Sequence, residues 1–479
     1  MEISLKELVL IDGIKVLASF NATGMLTWNG EKSGGLLLQS DLLGIIKESW
    51  SIRLQVFQYK EGGCYRSAKR AIKNILISFD QQESVTQWYN AMRDFLDSSG
   101  RPKRLLVLIN PFSGKGEAPK VYRRIVEPLF EAAGITVTLR ETQFQRHAKD
   151  MAKTVDISHY DGIVCVSGDG VLVEVLNGLL ERDDWEKAIQ IPLGAIPAGS
   201  GNGVAKSLLT AAGEPCDVWN ATFAIIRGQK QSLDVATVAQ GQARFHSILL
   251  LCWGYIADVD IESEKFRWMG GFRFEFYSLL RIVWLRQYHG TIAYIPAPGY
   301  EETGSPYTGE FDSFSGETSS MLSDTERSWR TSGYSGPLGA SLMKDWRVMS
   351  GEFILVLLQN IPWATEDFLA APSAKFSDGY LDLVVLRNCP KWALLKLVLQ
   401  MQKGTHIKSK YVQYLKVKAF RMTPGARTKG SVQGGYIDVD GEVIARGIGA
   451  EGDGSSDTMV YGPTIDISIQ QGLATMFSP

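Results

Sequence analysis

Three glycine-rich turns in residues 103–235 each lie between a continuous apolar segment and an amphipathic helical pattern. The pairs are RLLVLIN before PFSGKG, DGIVCV before SGDG, and IPLGAIPA before GSGNG. Buried strands that alternate with helices predict a parallel sheet covered by helices on both faces. Ligands of such sheets bind beyond the carboxyl ends of the strands, where all three turns fall. The sequence therefore predicts a Rossmann-like α/β domain with a ligand-binding edge.

Residues 1–100 have short apolar segments bounded by Gly, Asn or Asp, which is typical of β-strands. One helix follows over SVTQWYNAMRDFL, and Ser84 with Gln87 predicts a capping box at its start. Its apolar face would comprise Val85, Trp88, Met92, Phe95 and Leu96. Strands followed by one Trp-bearing helix loosely resemble the pleckstrin-homology arrangement, and a plain β-sandwich is the alternative. The segment SSGRPKR then predicts a linker.

Residues 236–479 are predicted to form an antiparallel β-sandwich domain. FILVLLQN, LDLVVLR and YLKVKAFRM have the composition of strands, and Asp440-Gly441 is typical of a hairpin turn. Residues 301–345 are rich in Ser, Gly and Thr, which predicts a disordered insertion. The predicted fold class is thus α/β plus β, with a β-rich N-terminal domain over 1–100 and an α/β domain over 103–235.

Composition narrows the class of protein further. The net charge of -2 argues against a nucleic-acid binder. The five cysteines form no CxxC pair, and three lie in or near apolar segments, so we expect free thiols and a reducing compartment. The start MEISLKELVL lacks the layout of a signal peptide, and no segment reaches the roughly 18 apolar residues of a membrane span. We expect a cytoplasmic protein.

The turns exclude several nucleotide-binding motifs. SGKG lacks the Ser or Thr that follows the lysine of a P-loop, and GSGNG does not complete G-x-G-x-x-G. The HRD and DFG elements of protein kinases are absent. Backbone amides at helix N-termini would still suit a polyphosphate. Asp169, between two glycines, would either cap its own helix or accept a proton from an attacking hydroxyl.

Together the motifs resemble the sphingosine (long-chain base) kinases, which belong to the diacylglycerol-kinase-like lipid kinases. They are LINPFSGKG, SGDGVLVEVLNGL, PLGAIPAGSGNGVAKSL, YIADVDIESEKFR, FLAAP with DGYLDLVVLR, and VDGEVI. They keep the order and spacing of the family over roughly residues 103–475. Ser167 and Val171 replace the Gly and Thr of the GGDGT core of the wider family, which favours the sphingosine kinase branch.

The resemblance implies transfer of a phosphoryl group from ATP, with Mg²⁺, to the primary hydroxyl of a sphingoid base. Asp169 would be the general base, while Ser167, Gly168, Gly170 and Asp260 would bind the substrate. The implied nucleotide-binding residues are Asn110, Pro111, Phe112, Thr142, Gln143, Phe144, Gln145, Arg146, Glu174, Gly199, Ser200, Gly201, Arg267, Arg273, Asp440, Gly441 and Glu442. The metal ligands are unknown.

Asp260 is expected to bind the ammonium group of the base. If YIADVDIES continues a strand, Asp258 and Asp260 share one face, and only the family pattern favours Asp260. Asp260 would otherwise brace the loop that carries Arg267. The alternatives for the whole chain are a diacylglycerol or ceramide kinase, a dinucleotide-dependent oxidoreductase, and a non-catalytic lipid-binding adaptor.

The expected partners are the lipid substrate, a peripheral contact with intracellular membranes and, as one option, a second copy of the chain. No nucleic acid is expected. The amphipathic segments 271–288 and 392–404 would gate the lipid slot or lie on a membrane, although most such helices pack on their own core.

Overall fold

The computed structural model describes residues 5–31, 33–59, 70–112, 114, 116–306, 333–336, 345–429, 432–452, 454 and 457–479. Within them the chain forms one seven-stranded sheet near its N-terminus and one 16-stranded mixed sheet. Among the described helices, none combines the length and the apolar character that a membrane crossing requires.

The N-terminal sheet is antiparallel and has the strand order β4-β3-β2-β1-β7-β6-β5. Its strands are β1 (Leu5–Ile11), β2 (Ile14–Phe20), β3 (Met25–Asn29), β4 (Gly34–Leu37), β5 (Leu42–Lys47), β6 (Ser51–Tyr59) and β7 (Arg70–Ser78), with the short helix α1 (Leu38–Asp41) before β5. Helix α2 (Gln82–Ser98) closes the sheet by burying Val85, Trp88, Met92 and Leu96, as the apolar face predicted. The likeness to a pleckstrin-homology domain stays a prediction.

The predicted capping box of α2 is wrong. The helix begins before Ser84, and its N-cap residue is Gln81, whose side chain makes no capping hydrogen bond. Ser84 instead donates from Oγ to Glu7 Oε1 at 2.7 Å. Trp88 Nε1 donates to the other oxygen of Glu7 at 2.9 Å, so both side chains attach α2 to β1.

The segment predicted as a linker is held against the N-terminal domain. The Arg101 guanidinium donates to the carbonyls of Leu38, Leu42 and Leu43, at 3.1, 2.5 and 3.2 Å. Burial lowers the pKa of Arg101 to about 10. These contacts fix the segment that connects α2 to the next strand.

The predicted parallel sheet is present. Strands β8 (Arg104–Ile109), β9 (Thr136–Glu141), β10 (Gly162–Ser167) and β11 (Leu193–Pro197) are parallel, in the order β9-β8-β10-β11. The helices around them are α3 (Ala118–Val121), α4 (Glu127–Ala132), α5 (His147–Thr154), α6 (Asp169–Leu180), α7 (Trp185–Ala188), α8 (Gly203–Ala211) and α9 (Val218–Arg227), with a π-helical turn at Tyr122–Val126. Separate apolar cores lie on the two faces, as continuous apolar strands require.

The remaining strands extend the same sheet instead of forming a detached one. They are β12 (Lys230–Gln240), β13 (Ala243–Ser247), β14 (Leu250–Gly254), β15 (Tyr288–Pro296), β16 (Ser305–Pro306), β17 (Arg347–Phe353), β18 (Leu355–Gln359), β21 (Leu381–Leu386), β22 (Val412–Arg427), β23 (Tyr436–Val439), β24 (Glu442–Arg446) and β25 (Ile465–Phe477), while β19 (Trp363–Thr365) and β20 (Phe368–Leu369) form a separate small hairpin. β25 joins the two regions, since it pairs with both β12 and β11. The predicted boundary at residue 235 falls inside β12.

Three helices cover the second region: α10 (Tyr255–Glu262), α11 (Phe272–Val283) and α12 (Lys391–Met401). α11 and α12 lie in the two segments predicted to be amphipathic, and they pack on each other.

Residues 333–336 of the predicted disordered insertion pack on the α/β domain. The Tyr334 ring lies 4.8 Å from Trp185 and 5.3 Å from His246, between centroids. Its backbone amide donates to the carbonyl of Leu180, at the end of α6, at 2.7 Å. Residues 301–306 are also described and end in β16. The rest of the predicted insertion, 307–332 and 337–344, lies outside the described residues.

Candidate active site

The predicted ligand-binding edge lies at the carboxyl ends of the four parallel strands. Residues 110–112 follow β8, 142–146 follow β9, Gly168 follows β10 and 198–202 follow β11. The first and third glycine-rich turns touch, because a Cβ on Gly114 would lie 3.1 Å from the backbone of Gly199. The structure therefore brings the turns together, as the pattern predicted. Ser113 and Lys115 lie outside the described residues.

Asp169 is the first residue of α6, and it caps a different helix from the one predicted. Its Oδ2 accepts from the Gly203 amide at 2.7 Å and its Oδ1 from the Val204 amide at 3.1 Å, both at the N-terminus of α8. Burial raises the pKa of Asp169 to about 6, against the lowering effect of those amides, and the nearby charge of Glu366 raises it further. Such a pKa suits a general base that works near neutral pH.

The other residues of this turn surround the Asp169 carboxyl. Ser167 is buried and donates from Oγ to the Gly168 carbonyl at 2.8 Å. A Cβ on Gly201 would lie 3.7 Å from Asp169 Oδ2, whereas a Cβ on Gly170 would meet open space. Neither position is crowded, since 3.7 Å is an ordinary van der Waals separation.

Glu174 is not the surface glutamate that its helix position alone suggested. Its two carboxylate oxygens accept from the amides of Arg146 and Ala148, each at 3.1 Å, at the N-terminus of α5. Burial raises the pKa of Glu174. Arg146 has a φ of +67°, a left-handed conformation that a non-glycine residue rarely adopts. Glu174 thus shapes the turn 142–146.

The aromatic side chains of the nucleotide segments are exposed. Phe112 is 74% exposed and Phe144 58% exposed, and Phe144 stacks on His147 at 4.4 Å between centroids. Asn110 Oδ1 accepts from the Phe112 amide at 2.9 Å, and Thr142 is buried. Two exposed rings beside the glycine-rich turns provide an apolar surface suited to a nucleotide base.

The Asp440-Gly441 turn follows β23 and reaches this edge. Asp440 has a φ of +54°, and its carboxylate accepts from Ser247 Oγ and from the amides of residues 248–250, at 2.7 to 3.1 Å. Glu442 Oε2 accepts from Gln145 Nε2 at 3.2 Å, across the two regions. Asp440 therefore braces the turn, and Glu442 is the carboxylate that meets the 142–146 segment.

The strand expected at YIADVDIES is wrong, because the segment forms helix α10. On a helix, residues two apart point to different faces, so Asp258 and Asp260 separate. The Tyr288 hydroxyl donates to both Asp258 oxygens at 2.9 and 2.7 Å, and Arg286 Nη1 lies 3.6 Å from Asp258 Oδ2. Asp260 instead lies within electrostatic reach of Arg273 and Glu264, and its charge raises the pKa of Asp438. Asp258 is hydrogen-bonded to Tyr288 in the core, so the geometry also favours Asp260 as the candidate for binding the ammonium group.

Of the two predicted arginines, Arg273 acts on Asp260, whose pKa its charge lowers. Arg273 is 7% exposed and its Nη1 lies 3.6 Å from Glu264 Oε1. Arg267 lies in a 3₁₀ segment at Ser263–Met269, and its side chain is not among those described. Arg273 is therefore a buried arginine rather than an exposed surface residue.

Sequence reasoning missed the contact of Asn202 with the β19–β20 hairpin. Asn202 Nδ2 donates to the Gly199 carbonyl at 3.2 Å and to Glu366 Oε1 at 2.6 Å. Gly203 packs under the same hairpin, since a Cβ there would lie 2.5 Å from the Trp363 carbonyl. The hairpin places Glu366 beside Asp169. The only signal in the sequence was Asn202 itself, inside the GSGNG turn.

The described side chains that could bind a metal ion are not clustered. Within the described part of the chain, no three His, Cys, Asp or Glu side chains are grouped as a metal site. Mg²⁺ in nucleotide enzymes keeps several waters and is held largely by substrate phosphates, so a site for this ion needs few protein ligands.

Comparison with known proteins follows the same division of the chain. Residues 104–238 match the family described as diacylglycerol kinase catalytic domain. Residues 337–448 match the one described as YegS C-terminal NAD kinase beta sandwich-like domain. A diacylglycerol kinase-like protein of known structure from Bacillus anthracis str. Sterne covers 79% of this chain and 98% of its own, with a TM-score of 0.50. At 19% identity this likeness shows the fold alone.

Two curated relatives align with this chain over most of their own length. Sphingosine kinase 1 of Arabidopsis thaliana is 47% identical over 477 residues, which is 98% of this chain and 96% of the relative. Sphingosine kinase 1 of Homo sapiens is 36% identical over 72% of this chain and 87% of the relative. With the glycine-rich turns and Asp169 assembled at one edge, the chain belongs to the sphingosine kinases of the diacylglycerol-kinase-like lipid kinase family.

Proposed function

We propose that this chain transfers the γ-phosphoryl group of ATP to the primary hydroxyl of a sphingoid long-chain base, with Asp169 as the general base. The observation that carries this proposal is the Asp169 carboxyl, with its pKa raised to about 6, at the meeting point of the turns. Phosphoryl transfer needs positioned phosphates, charge neutralisation and a residue that accepts the proton of the attacking hydroxyl. Asp169 takes that proton as the oxygen attacks.

ATP would lie along the edge formed by the turns after β8, β9 and β11. The exposed rings of Phe112 and Phe144 would contact the base, and the amides of residues 199–201 would hold phosphate oxygens. Arg273, with Arg267, would neutralise phosphate charge, a role that suits a guanidinium. Asp440, Gly441 and Glu442 would close the site from the second region, through the Gln145 contact. Mg²⁺ would accompany the ATP phosphates.

The lipid would enter from the side of α11 and α12. These helices and the residues around them expose large apolar side chains on one part of the surface. They are Trp268, Phe272, Leu279, Val283, Trp284, Trp392, Leu395 and Leu399. Lys391 Nζ donates to the Val283 carbonyl at 2.5 Å and so joins the two helices. A contiguous apolar surface bearing tryptophans suits a peripheral contact with a membrane.

The activity test uses purified protein with labelled ATP and a panel of detergent-dispersed lipids. We expect phosphate incorporation into sphingoid bases and much less into diacylglycerol or ceramide. A second arm measures sedimentation with phospholipid vesicles for the wild type and for Trp284→Ser with Trp392→Ser. Reduced sedimentation with unchanged activity on dispersed substrate is expected. Preferential labelling of diacylglycerol or ceramide would reject the substrate assignment, and unchanged sedimentation would reject the membrane surface.

A further inference from the structure

Asp438 is a buried carboxyl that the roles above do not use. It is 2% exposed, on β23, two residues before the Asp440 turn. Its Oδ1 has no hydrogen-bond partner among the described residues. A buried polar atom without a partner costs free energy, so it calls for a ligand or another explanation.

The position of Asp438 in the sheet directs it toward α10. Residues alternate between the faces of a strand, so Asp438 and Tyr436 share one face while Ile437 and Val439 pack in the core on the other. Tyr436 and Cys252 belong to the core cluster that packs under α10. Asp438 therefore points to the side of the sheet that carries Asp260.

The other oxygen of Asp438 is already held. Cys252 is the register partner of Asp438 on β14, and its Sγ donates to Oδ2 at 3.3 Å. Burial raises the pKa of the Cys252 thiol, so it stays a neutral donor. This contact fixes the carboxyl and leaves Oδ1 directed away from Cys252.

The ionisable groups around Asp438 and Asp260 are mostly acidic. The charges of Asp260, Asp440 and Glu442 raise the pKa of Asp438, while Arg273 lowers and Glu264 raises the pKa of Asp260. Arg273 already lies 3.6 Å from Glu264. Neither Asp260 nor Asp438 has an ion-pair partner within 4 Å among the described side chains. By contrast, Glu262 on the opposite face of α10 has Arg286 at 2.7 Å.

We propose that Asp438 and Asp260 together bind the ammonium group of the sphingoid base, with Asp438 Oδ1 as the second carboxylate acceptor. The proposal rests on the proposed function and names the residue that completes its amine recognition. Asp438 is buried and Asp260 is partly buried, neither forms an ion pair with a described side chain, and the one cation that acts on Asp260, Arg273, is shared with Glu264, so the two carboxyls are short of positive charge. A protonated amine supplies that charge, whereas an N-acylated or hydroxyl-only lipid head does not.

Binding of an ammonium group by these two carboxyls should depend on pH. Burial raises the pKa of both carboxyls, which favours the form of the pair that carries a proton when no lipid is bound. Binding a cation favours the ionised pair, so the proton must leave as the base binds. The KM for the base should therefore fall as the pH rises from 6 to 8.

The test compares the wild type with Asp438→Asn, using full-length protein and detergent-dispersed dihydrosphingosine between pH 6 and 8. We expect the variant KM at pH 8 to rise about tenfold, with kcat within about twofold and a smaller change of KM with pH. The inhibition constant of the N-acetyl derivative and the Kd of ATP should not change. Asp382→Asn is the matched control. Asp382 is a buried aspartate of the same sheet, bonded to Lys416 at 2.9 Å, so its loss should leave the KM profile unchanged.

Three results would overturn the proposal: an unchanged KM in Asp438→Asn, an equal loss of affinity for the N-acetyl derivative, or an equal KM rise in Asp382→Asn. If Asp438→Asn does not fold, Cys252→Ala tests the same pair. Removing the thiol donor raises the pKa of Asp438 further, so the KM profile should shift to higher pH. An unshifted profile would reject the assignment. A wild type that labels no sphingoid base would instead reject the proposed function itself.

Discussion

At the scale of single residues, Asp169 and Glu174 form a matched pair on α6. Each carboxylate accepts from two backbone amides at the N-terminus of a neighbouring helix, α8 for Asp169 and α5 for Glu174. The positive end of a helix stabilises such a carboxylate. Both carboxylates therefore stabilise the start of a neighbouring helix, but only Asp169 is proposed to accept a proton. Glu174 is thus a control for the capping role of Asp169.

We predict that Asp169→Asn lowers kcat by about 10²–10⁴-fold, because the amide cannot take the hydroxyl proton. Glu174→Gln should lose a similar helix cap, worth about 1 kcal/mol, yet act mainly on the KM for ATP. Steady-state kinetics of both variants, with circular dichroism to check folding, measure the difference. Near wild-type kcat in Asp169→Asn would leave that residue with its helix-capping role alone.

The raised pKa of Asp169 predicts a pH dependence of turnover. A general base must be ionised to accept a proton, and burial raises its pKa to about 6, so the ionised fraction falls as the pH drops through 6. We expect the wild-type kcat, measured with saturating sphingoid base, to decline on the acidic side with a midpoint near that value. The profile should be measured at saturating ATP. A plateau that continues down to pH 4.5 would contradict the assignment.

At the scale of elements, the local sequence pattern did not predict that the segment after β14 is a helix. Strands β8, β10 and β11 were predictable because each is a continuous apolar segment followed by a glycine-rich turn, whereas β9 (TVTLRE) has neither feature. LLLCWGYIADVD offers no proline or polar break, so the strand was expected to continue. The chain turns at Gly254, whose φ of +90° ends β14 and begins α10. That change depends on a backbone contact with Ile354, 100 residues away, which no local pattern encodes.

Gly254→Ala should therefore destabilise the protein. A Cβ would lie 2.4 Å from the Ile354 carbonyl oxygen, and an alanine at this φ is itself strained by about 1–3 kcal/mol. Gly271→Ala is the control, since a Cβ there meets open space at an ordinary φ. Thermal unfolding of the two variants gives the comparison. Equal midpoints would show that the turn accommodates a side chain.

At the scale of the whole molecule, the N-terminal domain is docked on helix α9 of the α/β domain through strands β6 and β7. Arg70 on β7 donates from Nη2 to Glu214 Oε1 at 2.9 Å, and Arg227 on α9 shares that oxygen at 2.9 Å. Phe57 on β6 packs on Phe223, with 5.0 Å between centroids. The β-rich composition predicted the domain, but not this contact, because Arg70 lies 144 residues from Glu214 in the sequence.

We predict that docking of the N-terminal domain contributes to stability and not to catalysis. Phosphate turns and Asp169 all lie in residues 110–202, so a chain starting at Pro102 should phosphorylate detergent-dispersed sphingoid base with a kcat near that of the full chain. It should be less stable, because Phe57 no longer covers Phe223 and Glu214 loses one of two arginines. Arg70→Ala in the full chain removes that ion pair together with the hydrogen bonds of Arg70 to Asn220 and to the Phe57 carbonyl, and should lower the free energy of unfolding by about 3 kcal/mol, leaving kcat unchanged. If the shortened chain keeps its circular dichroism spectrum but has no activity while Arg70→Ala is active, the N-terminal domain must complete the active site.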